Sequence, residues 1–459
     1  MQLRAKKIKQ KRGILLPLSS LPSCHGIGDL GEEAYRFIDL LRGTDQSYWQ
    51  MLPLCPIGRG NSPYASVSAF AGEILYISLE MLCTKGLLKT DEIACPPFPK
   101  NIDYNKVREF KIPLLHLAVS RFNTKNSQYR RFCEENEYWL KDYAEFMSSK
   151  YSTPEEFYKV TQYLFFEQYE RLHNYAAISD IKIIGDIPFY VDKDSVDVWA
   201  HSEVFKLGKD LTPTLVAGVP PDIFSRTGQL WGNPIYNWDY LKSVNYGWWK
   251  ERVIHNAKLY DIIRIDHFRA FADYYCIPAG SKDATGGFWQ TGVGNDFWSK
   301  VIPLINDTEI IAEDLGGEDS PLVIELLKQT GFPNMKVLQF AFDSDVNDPF
   351  LPQNFGGNCV CYTGTHDNDT TLGWYEKATE SERQMFDRLV PKKYDSPVLN
   401  LISFALKSKA QTVIIPFTDY LELGSEHRLN TPGTPTGNWE WRFSSDDITE
   451  ELKKKIKYI

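Results

Sequence analysis

Short apolar runs recur along the chain, each followed by a stretch whose apolar residues fall at helical spacing. Such alternation marks strands feeding helices, and hence a parallel sheet. Eight runs read as strands: "GILLPL" from Gly13, "YWQMLPL" from Tyr48, "IKIIGDIPFYV" from Ile181, "DIIRID" from Asp261, "EIIAED" from Glu309, "MKVLQFAF" from Met335, "CVCYTGTHD" from Cys359 and "QTVIIPF" from Gln411. Eight parallel strands with their helices predict an α/β fold, a closed (β/α)8 barrel. The helices carry end signals: in "DSPLVIELLKQTG", Ser320 reads as N-cap, Pro321 as first turn and Gly331 as the stop.

The strands are unevenly spaced. More than a hundred residues separate the second from the third, too many for one connection. Residues 55–180 are therefore expected to form a mostly helical insertion, with residues 1–54 and 181–459 making the barrel. One insertion helix is expected to start at a capping box, "TPEE" at 153–156, with Pro in its first turn. A second insertion, about 192–258, contains the Gly-, Pro- and aromatic-rich segment "VAGVPPDIFSRTGQLWGNPIYNW", read as a loop on the rim of the barrel.

Four strands end in an acid on the side where barrel enzymes place their chemistry: Asp186, Asp266, Glu313 and Asp367. Any one of them can be a helix cap or a structural ion pair; four together point to a site. Strand alternation puts Arg264 and Asp266 on one face with Ile262, so Arg264 should favour the ionised form of Asp266. Glu313 follows an apolar run, and desolvation there favours a retained proton, with Asp314 beside it as a competing acid. Carboxylates ending adjacent strands lie about 5 Å apart, the separation of a retaining glycosidase pair. His267 and His366 each adjoin one of these acids and are read as donors to sugar hydroxyls.

Composition narrows the ligand class. Aromatic residues make up 14% of the chain, and exposed rings suit ligands with an apolar face and a hydroxylated rim, as sugars have. A net charge of −9 argues against nucleic acid or an anionic membrane as partner. No run approaches the roughly 20 apolar residues of a membrane span. No secretory signal is evident, and the expected location is cytoplasmic. The eight cysteines have no C-x-x-C pair, so their spacing suggests neither a zinc site nor a disulfide framework. "GIGDLG" at 26–31 matches a dinucleotide fingerprint in letters only: "SSLPSCH" separates it from its strand and no acid closes the next strand. It is read as a loop entering the helix "EEAYRFIDLLR".

The residues resemble the 4-α-glucanotransferases, also called amylomaltases or disproportionating enzymes, nearly end to end. The likeness rests on "GILLPLSSLPS", "HGIGDLG", "YWQMLPL", "SPYASVSAFAG", "GDIPFYV", "DSVDVWAH", "VAGVPPDIFSRTGQLWGNPIY", "RIDHFR", "IAEDLG", "THDN" and "RLNTPGTPTGNWEWR". It implies an α-amylase-like barrel that moves segments of α-1,4-glucan between maltodextrin chains, with malto-oligosaccharides as donors and acceptors, glucose as an acceptor, and neither metal nor organic cofactor. It further implies Asp266 as nucleophile, Glu313 as general acid/base and Asp367 as the acid that binds and helps distort the sugar at the cleavage point. Arg264, His267, His366 and Asp186 would line that sugar's pocket, Tyr64 would stack on it, and Asp222, Trp231 and Asn430 would hold neighbouring glucose units.

The chain departs from the family pattern in two places. After "HFR" it has "AFADYY" where the family has "GFEAYW", with Ala272 replacing an acid, and Arg59 stands where several relatives have an aromatic. Two rival readings remain at this level: an amylase-type hydrolase, and a glucan-binding protein on an inactive barrel.

Overall fold

The computed structural model describes residues 10–221, 225–343 and 345–459. Its strands, in chain order, are β1 (Lys11–Leu15), β2 (Tyr48–Gln50), β3 (Lys182–Ile187), β4 (Leu215–Val219), β5 (Gln229–Pro234), β6 (Ile262–Ile265), β7 (Asp273–Pro278), β8 (Phe288–Thr291), β9 (Glu309–Ala312), β10 (Asn334–Val337), β11 (Cys359–Tyr362) and β12 (Thr412–Pro416). Eight of them close a barrel in the order β1-β2-β3-β6-β9-β10-β11-β12, every pair parallel. These are the eight apolar runs read from the sequence. Their residues are buried on both faces, as in Ile262–Ile265, which explains why the runs are apolar rather than alternating. Inside the barrel, the Tyr362 hydroxyl donates across to Gln50 Oε1 at 2.9 Å, so part of the interior is polar and satisfied.

The rim segment read as a loop is in part a sheet. β4 and β5 pair antiparallel, and with β7 and β8 they form a four-stranded sheet in the order β5-β4-β7-β8. The Gly and Pro content hid β4 and β5, because it reflects a register shift between Val216 and Gly218 and the close approach of Gly218 to Gln229 O. "AFADYY" supplies β7 of the same sheet. Asp222 lies outside the described residues.

Between β2 and β3 the chain is helical: Leu79–Thr84, Tyr104–Arg121, Ser127–Glu135, Glu137–Tyr151 and Glu155–Ile178. The last of these starts after Pro154 without a side-chain cap, so the expected box at Thr153 does not form. Ser320 does precede the helix Pro321–Thr330, and Gly331 ends it at φ 70°, but the Ser320 hydroxyl donates to Asp273 instead of capping. The helix Glu155–Ile178 packs on both β3 and the helix Glu32–Gly43, so it serves the barrel as well as the insertion. No helix among the described residues is long and apolar enough to cross a membrane.

Two fully buried glutamines on Glu155–Ile178 hold the chain leaving β2. Gln162 accepts from Gly72 N–H at 2.7 Å and donates to Gly72 O at 2.8 Å. Gln168 does the same for Ser78, at 2.8 and 3.1 Å. Replacing Gln162 by Leu leaves both Gly72 groups buried and unpaired, so a loss of roughly 2–6 kcal/mol is expected, read as a lower urea midpoint with an unchanged m-value.

Candidate active site

Asp266 and Glu313 are each the first residue beyond a barrel strand. β6 and β9 run in register with Ile265 beside Ala312, so the two acids occupy equivalent positions on neighbouring strands, which are spaced about 4.8 Å apart. The backbone continues the pairing: Asp266 N–H donates to Ile187 O at 3.0 Å, and Glu313 N–H to Ile265 O at 3.1 Å.

Arg264 lies beneath them with its side chain only 4% exposed. Its register partner on β3 is Asp186, and one guanidinium nitrogen sits 2.7 Å from both Asp186 oxygens. The other terminal nitrogen is 3.0 Å from Asp266 Oδ1. A buried guanidinium thus bridges two carboxylates, with Asp186 fully enclosed and Asp266 reaching the cleft. Asp186 also accepts from the Tyr64 hydroxyl at 2.6 Å. Burial and the Asp186 charge push the Tyr64 phenol well above its ordinary range, which keeps it a donor.

Burial raises the pKa of both Asp266 and Glu313, and Arg264 opposes the rise in each. Each acid also disfavours ionisation of the other, so the pair tends to share one proton. Direct contact with Arg264 leaves Asp266 as the stronger acid. Glu313 is 7% exposed, and its oxygens accept from His267 N–H at 2.6 Å and Leu315 N–H at 2.9 Å, which fixes the carboxyl's orientation. The competing acid Asp314 turns away toward β10, accepting from Asn334 Nδ2 at 2.9 Å and Met335 N–H at 3.1 Å.

Asp367 comes from the turn after β11. Asn430 Nδ2 donates to its Oδ1 at 2.6 Å, and Arg428 donates to its carbonyl oxygen. His366 Nε2 lies 3.4 Å from Asp367 Oδ2. The His366 ring stacks on Tyr64 with centroids 5.0 Å apart and planes 12° apart. Trp439 packs against both rings, at 5.8 and 5.9 Å. On the opposite wall, His267 meets the edge of Trp231 at 5.0 Å and lies near Tyr190. His267 adopts φ 50°, a left-handed conformation that is costly for a residue with a Cβ and clusters at functional sites. Burial, with Arg269 beside it, lowers its pKa to about 4, so the ring is neutral at pH 7.

Trp439 and Arg428 lie within the motif "RLNTPGTPTGNWEWR", of which the sequence singles out Asn430 alone, and a third feature had little sequence signal. Trp439 stands in a loop, with no periodicity to mark it; its φ of 66° is held by Trp439 N–H to Leu429 O and by Tyr104 OH to Trp439 O. Arg428 opens that motif. The third is the consequence of Ala272. The acid next to it, Asp273, binds Arg269 Nε at 2.6 Å and accepts from Ser320 Oγ at 3.0 Å, while Arg269 also donates to Gly316 O. Asp273 therefore links the loop after β6 to the loop after β9. Arg59 is exposed at the rim, 3.9 Å from Asp192.

A parallel barrel with this cluster at its C-terminal end can be set against known proteins. The 4-alpha-glucanotransferase family model matches residues 16–156 and 148–449. The chain belongs to that family. A 4-alpha-glucanotransferase of Clostridium butyricum is 41% identical over 478 residues, covering 96% of this chain and 97% of its own. In structure, the amylomaltase of Streptococcus agalactiae, solved in complex with acarbose, superposes with a TM-score of 0.92 at 36% identity, covering 98% of both chains. An α-amylase of Lactobacillus plantarum matches at TM-score 0.50 and 12% identity, with 97% of this chain and 79% of its own covered; that likeness concerns the fold alone. As a 4-alpha-glucanotransferase, the chain is an enzyme of α-1,4-glucan disproportionation, and the amylase-type and inactive-barrel readings are not favoured.

Proposed function

We propose that the enzyme transfers α-1,4-glucan segments by two successive displacements at the anomeric carbon, with Asp266 as nucleophile and Glu313 as general acid and then base. The observation that carries this reading is the placement of the two acids at equivalent positions just beyond β6 and β9, with Arg264 in direct contact with Asp266. Glu313 gives its proton to the departing glycosidic oxygen as Asp266 forms a β-linked glycosyl-enzyme. Glu313 then takes the proton of an acceptor's 4-hydroxyl, and that oxygen displaces Asp266. Two inversions retain the α configuration. The acceptor is a malto-oligosaccharide or glucose.

The other residues receive roles by position. Asp367, oriented by Asn430, binds hydroxyls of the sugar being cleaved, and the neutral His366 and His267 rings hydrogen-bond the same sugar. Tyr64 offers it a face, Arg264 and Asp186 set the charge below it, and Trp231 takes a neighbouring unit; the family resemblance alone assigns another such unit to Asp222. Transfer outruns hydrolysis only where an acceptor sugar displaces water from the glycosyl-enzyme; the aromatic walls formed by Trp231, Tyr190 and Trp439 suit that requirement.

Incubation with maltotriose tests the activity. A ladder of longer oligosaccharides together with free glucose, at nearly constant total reducing ends, is expected. Maltose and glucose accumulating with rising reducing ends would instead mark a hydrolase.

A further inference from the structure

We propose that Cys24, His25, Cys95 and Glu80 form a site for a borderline-soft divalent cation, zinc by preference, at the junction between the loop after β1 and the helical insertion. None of the four belongs to the candidate active site. The cysteines are 71 positions apart, so no spacing motif reveals them, and folding brings them together. Cys24 Sγ, Cys95 Sγ and a His25 ring nitrogen lie within 4.8 Å of one another. Glu80 Oε1 is 3.4 Å from His25 Nδ1 and 3.9 Å from Cys24 Sγ.

The histidine supplies the decisive detail. The residue is 1% exposed, and Nε2 faces Ile93 O at 3.2 Å, so Nε2 carries the hydrogen. In the neutral ring Nδ1 is then a bare lone pair, buried and without a hydrogen-bond partner among the described residues, pointed at a carboxylate oxygen. Two acceptors then face each other, an arrangement that either a proton on Nδ1 or a cation between them relieves, and the two sulfurs beside the ring favour the cation. Two thiolates, an imidazole and a carboxylate are the donor set of a tetrahedral zinc site, at about 2.0–2.3 Å from the metal. Cys24, His25 and Cys95 form one close group and Glu80 adjoins it through His25 and Cys24, so a cation held by all four draws the donors closer than they stand without it.

The surroundings match such a site. Ile93 O orients the imidazole, and Ser78 Oγ donates to the other Glu80 oxygen at 3.0 Å. Asp29, the other nearby acid, is already committed to Gly31 N–H at 2.9 Å and to Lys111 at 3.3 Å. Cys24 is exposed, which leaves an entry path. Binding needs no redox partner: each thiol releases its proton to solvent and each sulfur forms a metal bond, so affinity rises with pH. The ion would fasten the junction that Arg442 already spans, donating to Ser23 O and Pro99 O at 2.9 Å each. Arg442 follows Trp439 by three residues, so the tether steadies the segment carrying that ring.

The test is titration of the reduced, chelator-stripped full-length chain with cobalt(II). One equivalent is expected to give thiolate-to-cobalt charge transfer in the near ultraviolet and tetrahedral bands in the visible, both bleached by zinc. The charge-transfer band is expected to weaken in Cys24→Ser and in Cys95→Ser and to vanish in the double variant, which keeps its maltotriose transfer. Zinc should raise the unfolding temperature of the parent and not of the double variant. Absence of the band in the parent, its survival in the double variant, or a Cys24–Cys95 disulfide whose reduction yields no cobalt affinity would each overturn the proposal.

Discussion

Asp266→Asn is expected to lower maltotriose transfer by roughly 10⁴-fold or more, the scale seen when a covalent nucleophile is removed, equivalent to about 5 kcal/mol or more at the transition state. Asn keeps an oxygen for Arg264, and Arg264 keeps Asp186, so the fold is not the cause of the loss. Stability should move the other way. Burial raises the native pKa of Asp266 above its unfolded value. Its contribution to stability is therefore fully present below about pH 4, where an unperturbed carboxyl titrates, and is lost as pH rises through the raised native value. At neutral and alkaline pH the Asn variant should melt at or above the parent temperature, while the two should converge in acid. An inactive variant that melts well below the parent at pH 8 would show that Asp266 holds structure instead.

Glu313→Gln is expected to cost roughly 10²–10⁴-fold on maltodextrins, the range of general acid–base catalysis. The parent's rate should follow a bell with pH. Its acid limb reports protonation of Asp266, which must be ionised to attack, and its alkaline limb reports loss of the Glu313 proton. A glucosyl donor whose leaving group needs no proton, such as a fluoride, should restore the first displacement in the Gln variant. With that donor the alkaline limb should disappear and the acid limb should stay. If the alkaline limb persists, another group is the acid. The native pKa of Glu313 is also raised, so its charge likewise weakens the fold as pH rises through that value; Gln offers one acceptor where Glu313 offers two to the His267 and Leu315 N–H groups, so the Gln variant should start less stable but lose less stability than the parent between neutral and alkaline pH. Both acids thus carry a stability cost as pH rises, as expected of buried charge kept for a function.

All eight barrel strands were legible in the chain, because strands buried on both faces must be continuously apolar and short. The acids at their ends were legible for the same reason, since a charge closing an apolar run has to be paired or used. Arg264 and Asp266 shared a face on strand alternation alone, and the structure has them in contact. The rim sheet was not legible, because antiparallel strands with bulges and close glycine contacts look like loop in composition.

Periodicity and strand punctuation, then, carry the barrel and the identity of its terminal acids, since both follow from the burial of a local segment. Closure of the barrel settles the rest. It puts Asp186 under Arg264, turns Glu313 inward while Asp314 pairs with β10, and lays Trp439 over Tyr64 and His366, while docking of the insertion brings Cys95 to Cys24 and His25, and Glu80 to His25. Each of these depends on residues tens to hundreds of positions apart meeting through loops that have no repeat. Proton sharing and ligand geometry vary with distances of a few ångströms, which no linear pattern encodes.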